Sequence, residues 1–294
     1  MDTDSQHARE ISGATALTAI FGDPVEHSMS PAMHNAAYAA LGLDRRYVAF
    51  HVTPQHLAAA LRAIAALGIL GVNLTVPHKE RAARIISEQS AEARILGAIN
   101  CVINRRGILV GDNTDARGLE RDLRSRKLDL SGRLVLVIGA GGAAAAAVLC
   151  AIRMRAATIA ISNRTVSRAA LLARRFAPML RRRSRIEAHG LDALENAAIL
   201  ADAACVINAT PMGLTTRRFA PLDYAATPRE CLFYDLLYAA EPTAFLKPAL
   251  GRARPAADGA GMLVGQGELA FELLNGKAPP PGVMEHALRA RLGR

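Results

Sequence analysis

Asn73-Leu74-Thr75-Val76-Pro77-His78-Lys79 brings two hydrogen-bonding side chains and an amine into one short segment. Asn73 and Thr75 alternate with Val72, Leu74 and Val76, so on a strand both polar groups lie on one face. Pro77 ends that strand and opens a helix, which puts Lys79 in the first turn. A lysine there runs against the helix dipole, which favours acids at an N-terminus. Taken alone it is an ordinary surface lysine. The same dipole disfavours the ammonium form, however, and would help a lysine exchange protons near neutral pH.

The surrounding polar residues suit a hydroxylated ligand. Ser28 and Ser30 stand two apart in one loop before Pro31, with Ser30 read as the N-cap of a helix through Ala40. Capping leaves Ser28 unexplained, and a hydroxyl pair suits a polyol or a carboxylate. Asn100 is the one polar residue facing inward on a strand over 97–103. Asp115 closes a loop, Gly111-Asp112-Asn113-Thr114-Asp115, that could be plain turn chemistry. A lysine acid/base needs an orienting or proton-sharing group, and Asp115 is the candidate for it.

These residues need elements to position them. Strands are expected over 14–21, 47–52 and 108–110, helices over 30–40 and 53–67, and a hairpin turn at Asn104-Arg105-Arg106-Gly107. Leu134 to Ile152 holds 19 residues without a charge, long enough to suggest a membrane span. Its texture favours a strand, Leu134 to Ile138, then a glycine turn and a tightly packed helix. Gly139-Ala140-Gly141-Gly142-Ala143-Ala144 thus fits G-x-G-x-x-A, a dinucleotide turn whose pyrophosphate rests on a helix N-terminus.

The next strand, 158–162, would end in an acid if the ligand were NAD. Instead Asn163-Arg164-Thr165-Val166-Ser167-Arg168 follows, with no acid and two arginines, which suits a 2′-phosphate and so NADP. The plainer alternative is two surface arginines at a helix over 166–176 that Thr165 caps.

Bulk properties narrow the class. The chain has 294 residues, 51% of them hydrophobic and only 4% aromatic, so its core must be mostly Ala, Leu, Val and Ile. The acidic start is not the n-region of a signal peptide. Cysteines at 101, 150, 205 and 231 lack metal-like spacing and read as reduced thiols in a cytoplasmic protein. Net charge is +10, and Arg181-Arg182-Arg183-Ser184-Arg185 is its sharpest cluster. No aromatics interleave with it as a single-strand platform would need. An exposed turn is the plainer reading, and a basic enzyme attracts anionic substrates and phosphorylated cofactors.

Ser28-x-Ser30-Pro31, Asn73-x-Thr75-x-Pro77-x-Lys79, Gly97-Ala98-x-Asn100 and Asn113-Thr114-Asp115 resemble the shikimate dehydrogenase family, and the likeness runs from about 20 to 290. The resemblance implies NADP-dependent reduction of 3-dehydroshikimate to shikimate, on the route to chorismate and aromatic amino acids. It implies that Ser28 and Ser30 hold the carboxylate, that Asn73, Thr75, Asn100 and Asp115 hold ring hydroxyls, and that Lys79 and Asp115 form the proton pair. Tyr238 and Gln266 become further substrate contacts. Besides the glycine turn, Asn163, Arg164, Thr165 and Arg168, it assigns Thr210, Met212, Leu236, Gly259 and Met262 to the cofactor. Met262 also has the spacing of an ordinary core residue. Three departures stand out: Cys101 where Thr is common, Ala145 where Arg is frequent, and Pro242 shifted within Tyr238-Ala239-Ala240-Glu241-Pro242-Thr243.

The expectation is therefore two α/β domains with the active site in the cleft between them. An N-terminal α/β substrate domain spans 14–116, joined by returning C-terminal helices over 262–294. A doubly wound Rossmann domain for NADP spans 117–261, with a linking helix over 117–127, and 1–13 form a flexible tail. A small-molecule substrate is expected, without metal, nucleic acid or membrane, and a homodimer is left open. The rival readings are a quinate or quinate/shikimate dehydrogenase and, from another class, a nucleotide-sensing or RNA-binding protein on a Rossmann scaffold.

Overall fold

Short β-branched runs alternate with alanine-rich stretches along the chain, and the fold follows that alternation. A computed structural model describes residues 10–213 and 218–293, so the expected tail falls largely outside the described residues. The chain divides into two units, one running to Thr114 and resuming at Gly267, the other spanning Asp115–Gln266.

The first unit carries β1 (Ala16–Gly22), α1 (Ser30–Ala40), β2 (Arg45–His51), α2 (Leu57–Ala66), β3 (Gly71–Leu74), α3 (Lys79–Ile85), β4 (Glu88–Gln89), α4 (Ala91–Leu96), β5 (Cys101–Arg105) and β6 (Ile108–Asp112). Its mixed sheet has the order β2-β1-β3-β5-β6-β4. β1 runs parallel to β2 and β3, whereas β3/β5 and β5/β6 are antiparallel. Phe21, Leu57, Leu61, Ile64, Val72, Leu74 and Val102 fill one core. Complete burial of such a side chain contributes roughly 1.5–3 kcal/mol. On the other side Tyr38 of α1 packs against Phe271, ring centroids 5.1 Å apart.

The second unit opens with α5 (Asp115–Ser125). Then come β7 (Leu134–Ile138), α6 (Gly142–Arg153), β8 (Thr158–Ser162), α7 (Val166–Phe176), β9 (Arg185–His189), α8 (Ala197–Leu200), β10 (Ala203–Asn208), β11 (Leu232–Asp235), α9 (Leu246–Leu250) and β12 (Ala256–Ala257). α10 (Ala260–Asn275) leads back to the first unit, which α11 (Val283–Leu292) completes. All strand pairs here are parallel, in the order β12-β11-β10-β7-β8-β9. Counted within the unit this is the doubly wound order 3-2-1-4-5-6. The winding reverses between β7 and β10, which opens a crevice at their carboxyl ends. Every residue of β7 is buried, as a strand covered on both faces must be.

Local departures from the expected elements have physical causes. α1 begins at Ser30 itself, with Met29 in the cap position and no side-chain cap bond. Ser28 does the capping work instead, its Oγ accepting the Ser30 N–H at 3.3 Å. Thr165 occupies the cap position of α7 without a side-chain bond. Asn100 lies just before β5 rather than within it, and Thr75 just after β3. α5 starts at Asp115 and α10 at Ala260, each two residues ahead of the helix expected there, so Met262 and Gln266 both lie within α10. No described helix is long and apolar enough to cross a membrane; the uncharged run splits into β7, the turn and α6.

Candidate active site

In the first unit the candidate residues gather at the ends of β1, β3 and β5. Thr75 N–H donates to Phe21 O at 3.0 Å, which continues the β1/β3 pairing one residue past the strand. Asn73 Nδ2 donates to Asn100 O at 3.0 Å, and Leu74 N–H donates to the same carbonyl at 2.9 Å. Asn100 Oδ1 accepts the Thr114 N–H at 2.8 Å, while its Nδ2 donates to Thr114 Oγ1 at 2.9 Å. The main chain of Lys79 belongs to the same corner, because Ile99 N–H donates to Lys79 O at 2.9 Å. Asn73 and the Lys79 segment, close in sequence, are therefore brought together with Asn100 from a separate stretch of chain. Lys79 itself is half-buried, as the first residue of α3.

Behind this corner stands a layer that sequence reasoning missed. Tyr47 Oη donates to Asn73 Oδ1 at 2.8 Å, with the Ser30 side chain beside it. Asn35 grips the Tyr47 backbone from both sides: its Nδ2 donates to Tyr47 O at 2.8 Å and its Oδ1 accepts Tyr47 N–H at 2.9 Å. His34 stacks on the Tyr47 ring at 4.1 Å, and burial pushes its imidazole down to about 3. The available signal was a carboxamide and an imidazole inside an alanine-rich helix, where neither is a good helix former. Next to Lys79, His78 is buried and its Nε2 lies 2.6 Å from Val52 O. Burial lowers this imidazole too, against an opposing pull from that carbonyl.

Asp115 is the first residue of α5 and thus belongs to the second unit, one step along the chain from the Asn100–Thr114 clasp. Within that unit the cofactor candidates sit at the carboxyl ends of β7, β8, β10 and β11. Gly139 has φ +119°, and a Cβ there would lie 2.9 Å from Ala209 O. Any other residue would be both strained and crowded. At Gly141, by contrast, a Cβ would meet nothing within 4 Å. That open space is what a pyrophosphate lying close to backbone needs. The first bond inside α6 is Ala145 N–H to Gly141 O at 2.9 Å, so the preceding amides are left for an anion. Gly141, Gly142 and Ala143 are exposed, and Ala140 partly so.

Asn163 follows β8, and its Nδ2 donates to Thr165 O at 2.9 Å, shaping a turn from which Arg164 and Arg168 project as exposed cations. Ser162, not an acid, ends β8, and its Oγ donates to Gly190 O at 2.8 Å. The residues present thus fit a dinucleotide carrying a 2′-phosphate. Thr210 and Met212 lie just past β10, and Leu236 just past β11. The Gly259 N–H donates to Leu237 O at 2.9 Å ahead of α10. Burial pushes the phenol of Tyr238 upward. Gln266 Nε2 donates to Leu263 O at 2.9 Å within α10. Sequence reading also missed Asn208, Asp235 and Thr243, a buried polar group whose signal was an Asn and an Asp each ending an apolar strand. Among the described residues no group of three or more His, Cys, Asp or Glu is placed to hold a metal.

Comparison with known proteins covers most of the chain. The model of the shikimate dehydrogenase substrate-binding domain matches residues 20–102. That of shikimate/quinate 5-dehydrogenase matches 122–236, and that of the shikimate 5′-dehydrogenase C-terminal domain matches 259–289. Shikimate dehydrogenase (NADP(+)) of Geobacter sp. (strain M21) is 41% identical over 283 residues, 96% of this chain and 97% of that one. Among solved structures, shikimate 5-dehydrogenase from Thermus thermophilus, in complex with NADP(H) and shikimate, is 35% identical with a TM-score of 0.83, covering 94% of this chain and 100% of that one. The Listeria monocytogenes enzyme, in complex with shikimate and NAD, is 28% identical with a TM-score of 0.88, covering 95% and 98%.

Proposed function

Because the chain belongs to the shikimate dehydrogenase family, we propose that it interconverts 3-dehydroshikimate and shikimate with NADP(H), a step toward chorismate and the aromatic amino acids. The observation that carries this reading is the corner where the Asn73 and Asn100 amides meet the Lys79 segment at the ends of β3 and β5. Two amides at the corner that also carries a lysine suit a ring with several hydroxyls and one carbonyl to be protonated.

NADPH, when bound, supplies the hydride. The remaining tasks fall to the protein. Lys79 gives its proton to the carbonyl oxygen as negative charge develops there, and takes it back in the reverse direction. Asp115 shares that proton and orients the amine. Ser28 and Ser30 hold the carboxylate, and Asn73, Thr75 and Asn100 hold ring hydroxyls, with Tyr238 and Gln266 as further contacts. The glycine turn takes the pyrophosphate on backbone amides. Asn163, Arg164, Thr165 and Arg168 take the adenosine 2′-phosphate, where guanidinium forks match phosphate geometry. Thr210, Met212, Leu236, Gly259 and Met262 flank the nicotinamide. The same reading puts the enzyme in the cytoplasm without a nucleic-acid partner and leaves a homodimer open.

A second reading, oxidation of quinate, is favoured by the matched family model, which covers shikimate and quinate 5-dehydrogenases alike. The two substrates differ little, and one extra hydroxyl in a pocket is a small discrimination. A four-way assay, shikimate or quinate with NADP or NAD, separates the readings. The highest kcat/KM is expected for shikimate with NADP. A higher value for quinate would replace the substrate assignment, and one for NAD the cofactor assignment.

A further inference from the structure

Asp235 is a carboxylate with no solvent exposure at the carboxyl end of β11, and nothing in the reaction above uses it. Three donors surround it: Asn208 Nδ2 at 2.9 Å, Leu237 N–H at 3.1 Å and Thr243 Oγ1 at 2.5 Å. Among the described residues, no cation joins these partners. Burial pushes its carboxyl upward, against the pull of those donors. A buried carboxylate without a counter-ion is costly, and an apolar residue would end the strand at lower cost.

What the carboxylate does is decide which way Asn208 points. An amide can sit in either of two orientations that differ only in which end donates. Asp235 accepts and cannot donate when ionised, so it holds the Asn208 Nδ2 end and forces Oδ1 to the opposite side. There Oδ1 accepts Thr210 N–H at 3.0 Å and Thr210 Oγ1–H at 2.7 Å. Thr210 Oγ1 in turn accepts Met212 N–H at 3.2 Å. The chain of bonds runs from Asp235 through Asn208 and Thr210 to Met212. The segment it shapes lies against the glycine turn: Ala209 N–H donates to Ile138 O at 2.8 Å, and Ala209 O closes over Gly139. This is the point where the sheet reverses its winding and where a dinucleotide lies in such a sheet. Thr243 ties the far side, its Oγ1 also accepting Leu246 N–H at 3.3 Å as α9 begins.

We propose that Asp235 is a positioning residue for the dinucleotide: by fixing the orientation of Asn208 it sets the Ala209–Met212 loop beside the glycine turn. The inference rests on the cofactor reading above and extends it to a residue that need not touch the cofactor. With Asp235→Asn the partner can donate as well as accept, so only the Thr210 N–H still demands the oxygen end of Asn208, and the loop is held from one side instead of two.

The test is NADPH binding to the folded protein, followed by the change in NADPH fluorescence, alongside the KM for shikimate. Asp235→Asn is expected to raise the NADPH Kd about tenfold, near 1.4 kcal/mol, with little change in the shikimate KM. Thr243→Val keeps volume but removes one donor, and is expected to weaken NADPH binding in the same direction, whereas Thr243→Ser keeps the hydroxyl and restores it. Should Asp235→Asn fail to fold, the two Thr243 variants decide the matter. Folded variants that bind NADPH as the wild type does overturn the proposal. So does an equal loss of NADPH and shikimate affinity, which would mark a merely structural role. Wild-type protein that does not bind NADPH at all would instead overturn the cofactor reading on which the proposal stands.

Discussion

Lys79 is the residue on which turnover should depend most. Replacing it by alanine removes the proposed proton donor but leaves the glycine turn and its amides intact. The expected outcome is a fall in kcat of about a hundredfold to ten-thousandfold, the range for loss of a general acid, with the NADPH Kd unchanged. Stopped-flow turnover with a parallel binding titration checks both halves, and retention of most of the turnover would sink the assignment. Lys79, Asn73, Thr75 and Asp115 could be proposed from sequence because their types carry chemistry wherever they stand. Tyr47, Asn35, Asn208 and Asp235 could not. Their importance lies in pairings such as Asn35 with Tyr47, 12 positions apart, and Asn208 with Asp235, 27 apart. No local period encodes those distances. Ser28 and Ser30 fall between: the pair was visible, but which hydroxyl caps the helix was settled by where the helix begins, and boundaries are the least legible part of a sequence.

At the next level up, α1 does more than support a loop. It presents Asn35 to the backbone of β2 and lays His34 under the Tyr47 ring, so one helix organises the back of the Asn73–Asn100 corner. That arrangement leaves a titration signature. The His34 imidazole is held neutral down to about 3 by burial, against 6.5 when free. Only the unfolded chain takes up this proton between those values, so stability is complete above about pH 6.5 and is lost as the pH falls through the window. The slope from this group approaches about 1.4 kcal/mol per pH unit. His34→Phe, which keeps a ring against Tyr47 and Phe271, is expected to flatten the acid side of the stability profile by that amount in urea titrations; an unchanged slope would show that another group is responsible. Element type was largely legible from the alternation of aliphatic and alanine-rich runs. The start of α10 was not, and the reason is tertiary. Gly259, Gly261 and Gly265 look like loop punctuation, yet a Cβ on Gly265 would lie 2.8 Å from Gly118 O. Gly261 and Gly265 let α10 approach α5, Gly259 clears the Leu236 carbonyl past β11, and packing overrides propensity.

The whole chain carries a formal charge of +10. Arg164 and Arg168 are exposed, so their attraction for a phosphate is screened by salt within about 10 Å at 0.1 M. KM for NADPH is therefore expected to rise severalfold as ionic strength is increased at constant pH, while kcat changes far less. Initial-rate measurements across a salt series check this, and a salt-independent KM would remove the arginines from the cofactor site. The doubly wound order of the second unit was legible once the glycine turn was placed, because such turns follow the first strand of that fold. The first unit's mixed sheet was not, since antiparallel β5 and β6 interrupt an otherwise parallel pattern. Its discontinuity has a consequence for how the protein is made. Phe271 and Leu274, which cover Tyr38 and pack with Cys101 and Ile103, are translated after the entire second unit. At about 5–20 residues per second a nascent chain must wait roughly ten to thirty seconds with that surface bare. The inserted unit can close on the ribosome before the unit that began first, leaving the older half as the chaperone's client until the last two helices emerge.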